Sequence, residues 1–515
     1  MTDDPYWTMN GDPTGYPRLD GRGRADVAVI GGGAAGLWTA WELACTGRRV
    51  ALLEAGRIVQ AAKGGGAGQA SVLQGLAHSR ITRAAGVEAA RSYAEAQARA
   101  VERIAEVAAR LGVDCEVERR PAYLYASHQH SLQQLQEELA AAHDAGVPAV
   151  PGSGTGPGIG VGLPFAVAGA VHIADQLQFH PHKFLAALAE DLVKRGSAVY
   201  EHSRVVTVDV GEPCVVMTET GASVAAEHVV VSTGFPITAP NAVRRALRPR
   251  RELLLAGAVP AELAPRGIYA AVGEPGVSVR TAPLDGGQRL VVVAGETYDP
   301  GSGGVGERYA RLAAWAAENV GLSHVEHHWS AQDYQSEDRL PLIGRASAAA
   351  ERRCLWLVTG SAGWDAGTAV LAGRLITAGI RGAQPAPWAA AFAPERMDRV
   401  VRPEEAWNGP ARSVVRHRVE PDERDALDAI RPGDGTVVDV GGEHCAAYRD
   451  DHGLLHLVSA LCPHRGCTVG FNDAEKTWEC PCHGSRFATD GALLQGPATE
   501  PLAPARAYLS LAAAE

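Results

Sequence analysis

Residues 26–37 read Asp26-Val-Ala-Val-Ile-Gly31-Gly-Gly33-Ala-Ala-Gly36-Leu37. A short apolar strand runs into G-x-G-x-x-G. A helical pattern follows, with Leu37, Trp38, Ala40, Trp41, Leu43 and Ala44 as its apolar positions. A second strand, Arg49-Val-Ala-Leu-Leu-Glu54, ends on a carboxylate 23 residues after Gly31. Glycine-rich turns are common, so the motif alone says little. The order strand, glycines, helix, strand, acid is far more specific. The glycines permit a tight turn and let a pyrophosphate approach the helix N-terminus, and an acid at this offset can hold ribose hydroxyls. The stretch reads as dinucleotide binding through Gly31, Gly33, Ala35, Gly36 and Glu54, in a Rossmann-like α/β domain.

Other segments bear on which dinucleotide binds. Val229-Val-Val-Ser-Thr233-Gly234 is a buried-strand pattern ending in Thr-Gly, a frequent late contact in FAD enzymes. Cys354-Leu-Trp-Leu-Val-Thr-Gly360 is another strand. It leads through Gly363, Trp364 and Thr368 into an apolar helix, 369–380. The N-terminus of that helix is expected to face the flavin ring. The glycine-rich run 63–71 follows Glu54 closely and reads as a cofactor-contacting loop in preference to a flexible linker, with Gly66, Ala67, Gln69 and Ser71 as candidates.

The other end of the chain holds Cys462-Pro-His464-Arg-Gly-Cys467 and Cys480-Pro-Cys482-His483-Gly-Ser485. The spacing is C-x-H, fifteen residues, then C-x-x-H. Two short loops thus supply two thiolates and two imidazoles, the ligand set of a Rieske 2Fe–2S cluster, whose potential exceeds that of an all-cysteine ferredoxin. A Cys2His2 zinc site is spaced differently, with both histidines on one helix. The metal ligands are expected to be Cys462, His464, Cys480 and His483. Such a cluster moves single electrons, so the rest of the chain must say where they come from.

Composition narrows the class. The chain has 515 residues, long enough for two or three domains, and a net charge of −11, which argues against nucleic acid and anionic membrane surfaces as partners. No apolar run is long enough to span a bilayer, and the acidic N-terminus lacks signal-peptide features. A cytoplasmic location is expected. There are nine cysteines, and the isolated ones read as buried small hydrophobes.

These motifs together resemble the D-amino-acid-oxidase-like flavoproteins, the group including glycine and sarcosine oxidases. More narrowly, they resemble bacterial FAD-dependent oxidoreductases with a C-terminal Rieske domain. Further matching stretches are Tyr6-Trp7, Asp114-Cys115, Tyr123-Leu-Tyr125, Gln178-Phe-His180-Pro181, Trp329-Ser-Ala-Gln-Asp-Tyr334, Pro341-Leu-Ile-Gly344 and 472–478. The terminal module resembles the Rieske proteins of cytochrome bc complexes. There the pair at Cys467 and Cys482 forms a disulfide over the cluster, and Ser485 donates to a bridging sulfide. Phe487 stands where high-potential members have Tyr, so one O–H donor is missing.

The resemblance implies three regions. An FAD-dependent oxidoreductase occupies 1–395, with FAD-binding parts at about 24–85, 165–240 and 335–385 and a substrate part at about 86–164 and 241–334. A connector covers 396–425 and an all-β Rieske domain 426–515. Strand patterns in 250–330 are expected to build an antiparallel substrate sheet. The implied activity is oxidation of a C–N bond in an amine or amino acid by hydride transfer to FAD. Electrons would then pass singly through the cluster to an acceptor, a protein or O2. The alternative is a redox carrier or reductase component serving a partner protein.

Carboxylate substrates usually meet arginine, whose planar fork binds both oxygens. Arg280 and Arg251 are the candidates, with Tyr298 and Tyr334 as pocket walls. No catalytic base stands out. His180 reads as structural, and His324, His327 and His328 as a solvated helix end. The helical pattern over 85–111, with Val101, Ile104, Val107 and Leu111 on one face, reads as core.

Overall fold

The computed structural model describes residues 5–9, 13–58, 68–152, 165–273, 276–347, 353–400, 423–440 and 442–505. By internal contacts it divides into two units. The first comprises Met1–Ala246, Glu252–Glu296 and Leu312–Arg402. The second comprises Leu247–Arg251, Thr297–Arg311 and Pro403–Glu515. Two short stretches that the sequence assigns to the substrate part therefore group with the iron–sulfur module.

In the first unit, five parallel strands lie in the order 355–359, 223–231, 22–30, 50–53, 198–200. Strand Leu342–Arg345 is added antiparallel at one edge. The chain order reverses beside strand Arg22–Ile30, and ligands of such sheets bind outside the carboxyl ends at that switch point. Val27, Val29 and Leu52 are fully buried, as expected for strands covered on both faces. Helix Ala34–Cys45 buries Leu37, Trp38 and Trp41, and the Trp38 ring stacks on Phe184 of helix Pro181–Lys194.

The second sheet of this unit has nine strands, with 278–283 between 288–298 and 268–271. Among the pairings whose register is described, Ile268–Ala271 against Glu118–Ala126 is parallel and the others are antiparallel. The antiparallel substrate sheet expected over 250–330 is present, and it also recruits Gln69–Ala70 and Gly169–Gln178.

Helix Val87–Leu111 buries Val101, Ile104 and Val107, the face expected from the spacing. The histidine cluster differs from expectation: the helix ends at Val320, and His327 and His328 begin strand His327–Ser336. Cys45 also departs from expectation, being exposed on the last turn of its helix. No helix among the described residues is long and apolar enough to cross a membrane.

The second unit is a pair of small antiparallel sheets. One pairs 434–440, 443–449 and 455–459; the other pairs 470–472, 477–479, 486–488 and 493–495. Trp478 and Phe487, both fully buried, sit opposite each other across the second sheet.

Candidate functional site: a dinucleotide cradle and a four-ligand metal centre

The glycine turn of the first unit has no room for side chains at two points. Gly31 has φ +106°, and a Cβ there would collide with the Ser232 carbonyl. A Cβ on Gly36 would collide with the Gly31 carbonyl. Gly33 is the N-cap of helix Ala34–Cys45 and offers no side-chain acceptor, so the first N–H groups remain available to an anion. Glu54 accepts the N–H of Gly32 at 2.7 Å and of Gly56 at 2.9 Å, which fixes its carboxylate at the turn. Each carboxylate oxygen keeps a further lone pair for a ribose hydroxyl. These features fit the pyrophosphate and ribose of a dinucleotide.

The loops after the next two strands are tied together. The Thr359 hydroxyl donates to the Gly234 carbonyl, and Thr233 donates to the carbonyl of Phe235 at 2.7 Å. The Tyr334 ring lies against Gly234, where a Cβ would come within 2.9 Å of it. Gln69 and Ser71 are buried, with the Ser71 hydroxyl accepting the Leu73 N–H at 3.0 Å. Gly66 and Ala67 lie outside the described residues.

The loop into helix Asp365–Ile380 contains a group that sequence reasoning missed. Gly363 there has φ +85°, Trp364 is the N-cap, and Thr368 is buried. The Ser361 hydroxyl lies 3.0 Å from Asp333 and 2.6 Å from Asp365. The Gly363 N–H also donates to Asp333. Burial first, and then the nearby Asp365 charge, push the Asp333 carboxyl up to about 7; burial also raises Asp365. The helix N-terminus expected to meet the flavin therefore carries an acid pair. Both acids stand inside motifs quoted from the sequence, yet only the fold brings them together.

Arg280 projects from strand Ser278–Pro283 and is 3 % exposed. Its Nη1 donates to the Gly68 carbonyl at 3.1 Å, and its guanidinium lies 4.3 Å from the Trp7 ring centroid. Its Nε and Nη2 have no hydrogen-bond partner among the described residues. Burial pulls its pKa down to about 9, with Glu116 opposing. Glu116 is itself paired with Lys183 at 2.6 Å. His180 caps helix Pro181–Lys194, its ring accepting the Lys183 N–H at 3.3 Å, and burial lowers its pKa to about 3. That is the structural role expected of it.

Arg251 and Tyr298 have a different environment from the one expected. Both belong to the second unit. Arg251 is 1 % exposed and paired with Glu475 at 2.9 Å and Glu479 at 3.2 Å, and its Nε donates to the Tyr298 hydroxyl at 3.0 Å. A guanidinium held by two protein carboxylates is not available to a substrate carboxylate. Nothing in the sequence marks its carboxylate partners, which lie more than 220 residues away.

The two cysteine–histidine loops share one backbone pattern. Cys462 N–H donates to the Cys467 carbonyl at 2.9 Å, and Cys480 N–H to the Ser485 carbonyl at 2.8 Å. Gly466 N–H returns to Cys462 at 2.8 Å, and Gly484 N–H to Cys480 at 2.9 Å. Gly466 and Gly484 both take positive φ to close these turns, at +71° and +76°. The loops bring the His464 and His483 rings to 4.8 Å between centroids. The two cysteines are buried and the two histidines half-buried.

A hydrogen bond with Cys480 pulls the Cys462 thiol down to about 7, against burial. The backbone N–H groups of His464 and Arg465 and the Ser485 hydroxyl add to the lowering. Ser485 Oγ in turn accepts the Ala498 N–H at 3.0 Å. Donors directed at a ligand sulfur are the outer layer a metal centre needs. Cys467 and Cys482 are bonded to each other. The sulfurs of Cys467, Cys480 and Cys482 lie within 4.8 Å of one another. Two of those three are spent in the disulfide, which leaves Cys462 and Cys480 as the candidate thiolate ligands. Two thiolates inside and two imidazoles towards solvent fit a Rieske cluster.

Comparison with known proteins agrees with both halves. The family described as FAD dependent oxidoreductase matches residues 26–378. The chain belongs to this family. A Rieske 2Fe–2S domain matches residues 424–506. YhfW of Bacillus subtilis (strain 168), named for a Rieske 2Fe–2S iron–sulfur centre, is 28% identical over 511 residues, covering 96% of each chain. The cytochrome b6-f complex iron–sulfur subunit of Gloeobacter violaceus is 45% identical over 90 residues, 16% of this chain and 48% of that protein.

Among solved structures, glycine oxidase from Geobacillus kaustophilus aligns with a TM-score of 0.55 at 23% identity, over 72% of this chain and 98% of that one. L-proline dehydrogenase from P. horikoshii aligns at 0.56 and 16% identity, over 73% and 99%. These likenesses establish the fold. The chain is an FAD-dependent oxidoreductase with a C-terminal Rieske 2Fe–2S domain.

Proposed function

We propose that this oxidoreductase oxidises the C–N bond of an amino acid or related amine. Bound FAD would supply the hydride acceptor, and a 2Fe–2S cluster would supply a one-electron route to an external acceptor. Gly31, Gly33, Ala35, Gly36 and Glu54 would hold the pyrophosphate and ribose. Thr233, Gly234, Gly363, Trp364 and Thr368 would border the rest of the dinucleotide. Cys462, Cys480, His464 and His483 would hold the cluster. FAD supplies the redox chemistry when bound, and the protein's part is to orient the substrate.

The observation that carries the substrate class is Arg280. A buried guanidinium facing a carbonyl and a ring, with two donor positions unused among the described residues, is costly without an anion. A substrate carboxylate would supply that anion and be gripped by the planar fork. Trp7 covers one face of the guanidinium and excludes water from it. Tyr334, packed against Gly234, remains a candidate pocket wall.

The test is anaerobic mixing of the holoenzyme with amino acids and with the matched amines lacking the carboxylate. Amino acids should bleach the flavin. Arg280→Met should raise the half-saturating amino-acid concentration about tenfold to a hundredfold, the worth of a charge-assisted bond of roughly 1.5–3 kcal/mol. Arg280→Lys should recover part of the loss. If no amine or amino acid bleaches the flavin, the redox-carrier reading replaces this one.

A further inference from the structure

We propose that Arg251, a residue within the stretch matched by the FAD oxidoreductase family, is a positioning residue of the iron–sulfur centre: it neutralises Glu479 at the foot of the second ligand loop. The inference is independent of the substrate reading and requires only that the cluster sits on its four ligands.

The second ligand loop runs from Cys480 to Ser485. Glu479 immediately precedes it and Arg486 immediately follows it, and these two residues face each other across paired strands. The loop therefore stands on a Glu–Arg base. Glu479 is fully buried, and it accepts from Asn472 at 2.9 Å and from the Gly301 N–H at 3.1 Å. Arg486 contacts Glu475 and lies 3.7 Å from Glu479. Arg251 enters this group from outside the ligand-bearing segment and bridges both acids. With Arg251 the cluster of side chains holds two cations and two anions. Without it a buried negative charge is left one residue from a ligand cysteine.

Backbone contacts hold the neighbouring stretch Thr297–Arg311 in this unit. Asp473 accepts the N–H groups of Val305 and Gly306, at 2.7 and 3.1 Å, at the start of helix Val305–Val320. Gly301 and Gly470 approach so closely that a Cβ on Gly470 would collide with the Gly301 carbonyl. The Tyr298 hydroxyl accepts from both Arg251 and Asn472, which fixes the guanidinium's angle. Burial alone would lower the Arg251 pKa, but Glu479 and then Glu475 outweigh it and hold it above the usual arginine value.

Reduction adds one negative charge to the cluster. A nearby cation favours the reduced form and a nearby unpaired anion opposes it. Arg251 therefore raises the cluster's potential by cancelling Glu479.

The test is a redox titration of the full-length holoprotein, followed by the cluster's electron paramagnetic resonance signal. Glu479→Gln is the cleanest arm, because arginine does not lose its proton and the change in net charge is unambiguous. It should raise the potential, shifting the reduced-to-oxidised ratio by about threefold to tenfold, where tenfold is 59 mV for a one-electron couple. Arg251→Met should lower the potential, Arg251→Lys should stay near wild type, and the double variant Arg251→Met/Glu479→Gln should return towards it. Opposite signs for the two single variants mark charge compensation, since mere loosening of the loop would not reverse sign. If Arg251→Met fails to load a cluster, Glu479→Gln and Arg251→Lys still decide. An unchanged or lowered potential in Glu479→Gln overturns the proposal.

Discussion

Asp333 and Asp365 face each other across one hydroxyl, that of Ser361, at 3.0 and 2.6 Å. Both carboxyls have raised pKa values, so the pair retains a proton well above the range of ordinary carboxylates. A folded-state pKa above the unfolded one makes the folded state bind more protons. The resulting stabilisation is full below the unfolded value near 4. It is lost as pH rises through the folded value of about 7. Asp333→Asn should remove this dependence. Its melting temperature relative to wild type should be higher at pH 8 than at pH 5. Parallel melting curves for the two proteins across that range would count against the pair.

The glycine turn leads to a simpler expectation. Gly36→Val would drive a side chain into the Gly31 carbonyl, and that backbone has nowhere to move beside Ser232. Purified Gly36→Val should have lost its bound flavin, as seen from the visible spectrum, while keeping the iron–sulfur signal of the other unit. Gly33→Val should act in the same direction by placing a branched side chain where the pyrophosphate must approach the helix. A full complement of FAD in either variant would mean that the cradle lies elsewhere.

Those two cases show what the sequence can and cannot reveal. Gly31, Gly36 and Glu54 were legible because their chemistry is local: a turn, a helix start and a strand end within thirty residues. The cysteine–histidine loops were legible for the same reason, since each packs its candidate ligands within four residues. Arg251 was misread because an arginine in a strand pattern does not announce its partner. Its carboxylates come from a segment more than 220 residues later. Asp333 and Asp365 are not marked by the sequence because the residues around them read as a strand end and a glycine loop. From the sequence His327 and His328 read as a helix end, although a strand starts there, because three histidines in five residues carry no clear period.

The disulfide joins the two ligand loops, and Cys480 lies within reach of both its sulfurs. Replacing Cys467 and Cys482 with Ser should loosen the loops and speed cluster loss on mild heating, measured as bleaching of the cluster's visible absorption. Intact mass after alkylation of unfolded, unreduced wild-type protein checks the bond itself. It should show these two cysteines protected, and alkylation of both would refute the bond.

Removing the cluster tests the direction of electron flow. Cys462 is buried, and the His464 N–H, the Arg465 N–H and the Ser485 hydroxyl all bear on its sulfur. Cys462→Ser replaces a soft thiolate with a hydroxyl that binds iron poorly, so the cluster should be absent. The glycine turn proposed to hold FAD lies in the other unit, so FAD content should be unchanged. Reduction of the flavin by substrate should then proceed at close to the wild-type rate, whereas turnover with a one-electron acceptor should slow by about tenfold or more. The two rates are measured separately, by anaerobic stopped flow and by steady-state acceptor reduction. A variant lacking iron that reduces the acceptor as fast as wild type would mean that electrons leave from the flavin itself, and that the Rieske domain serves another purpose.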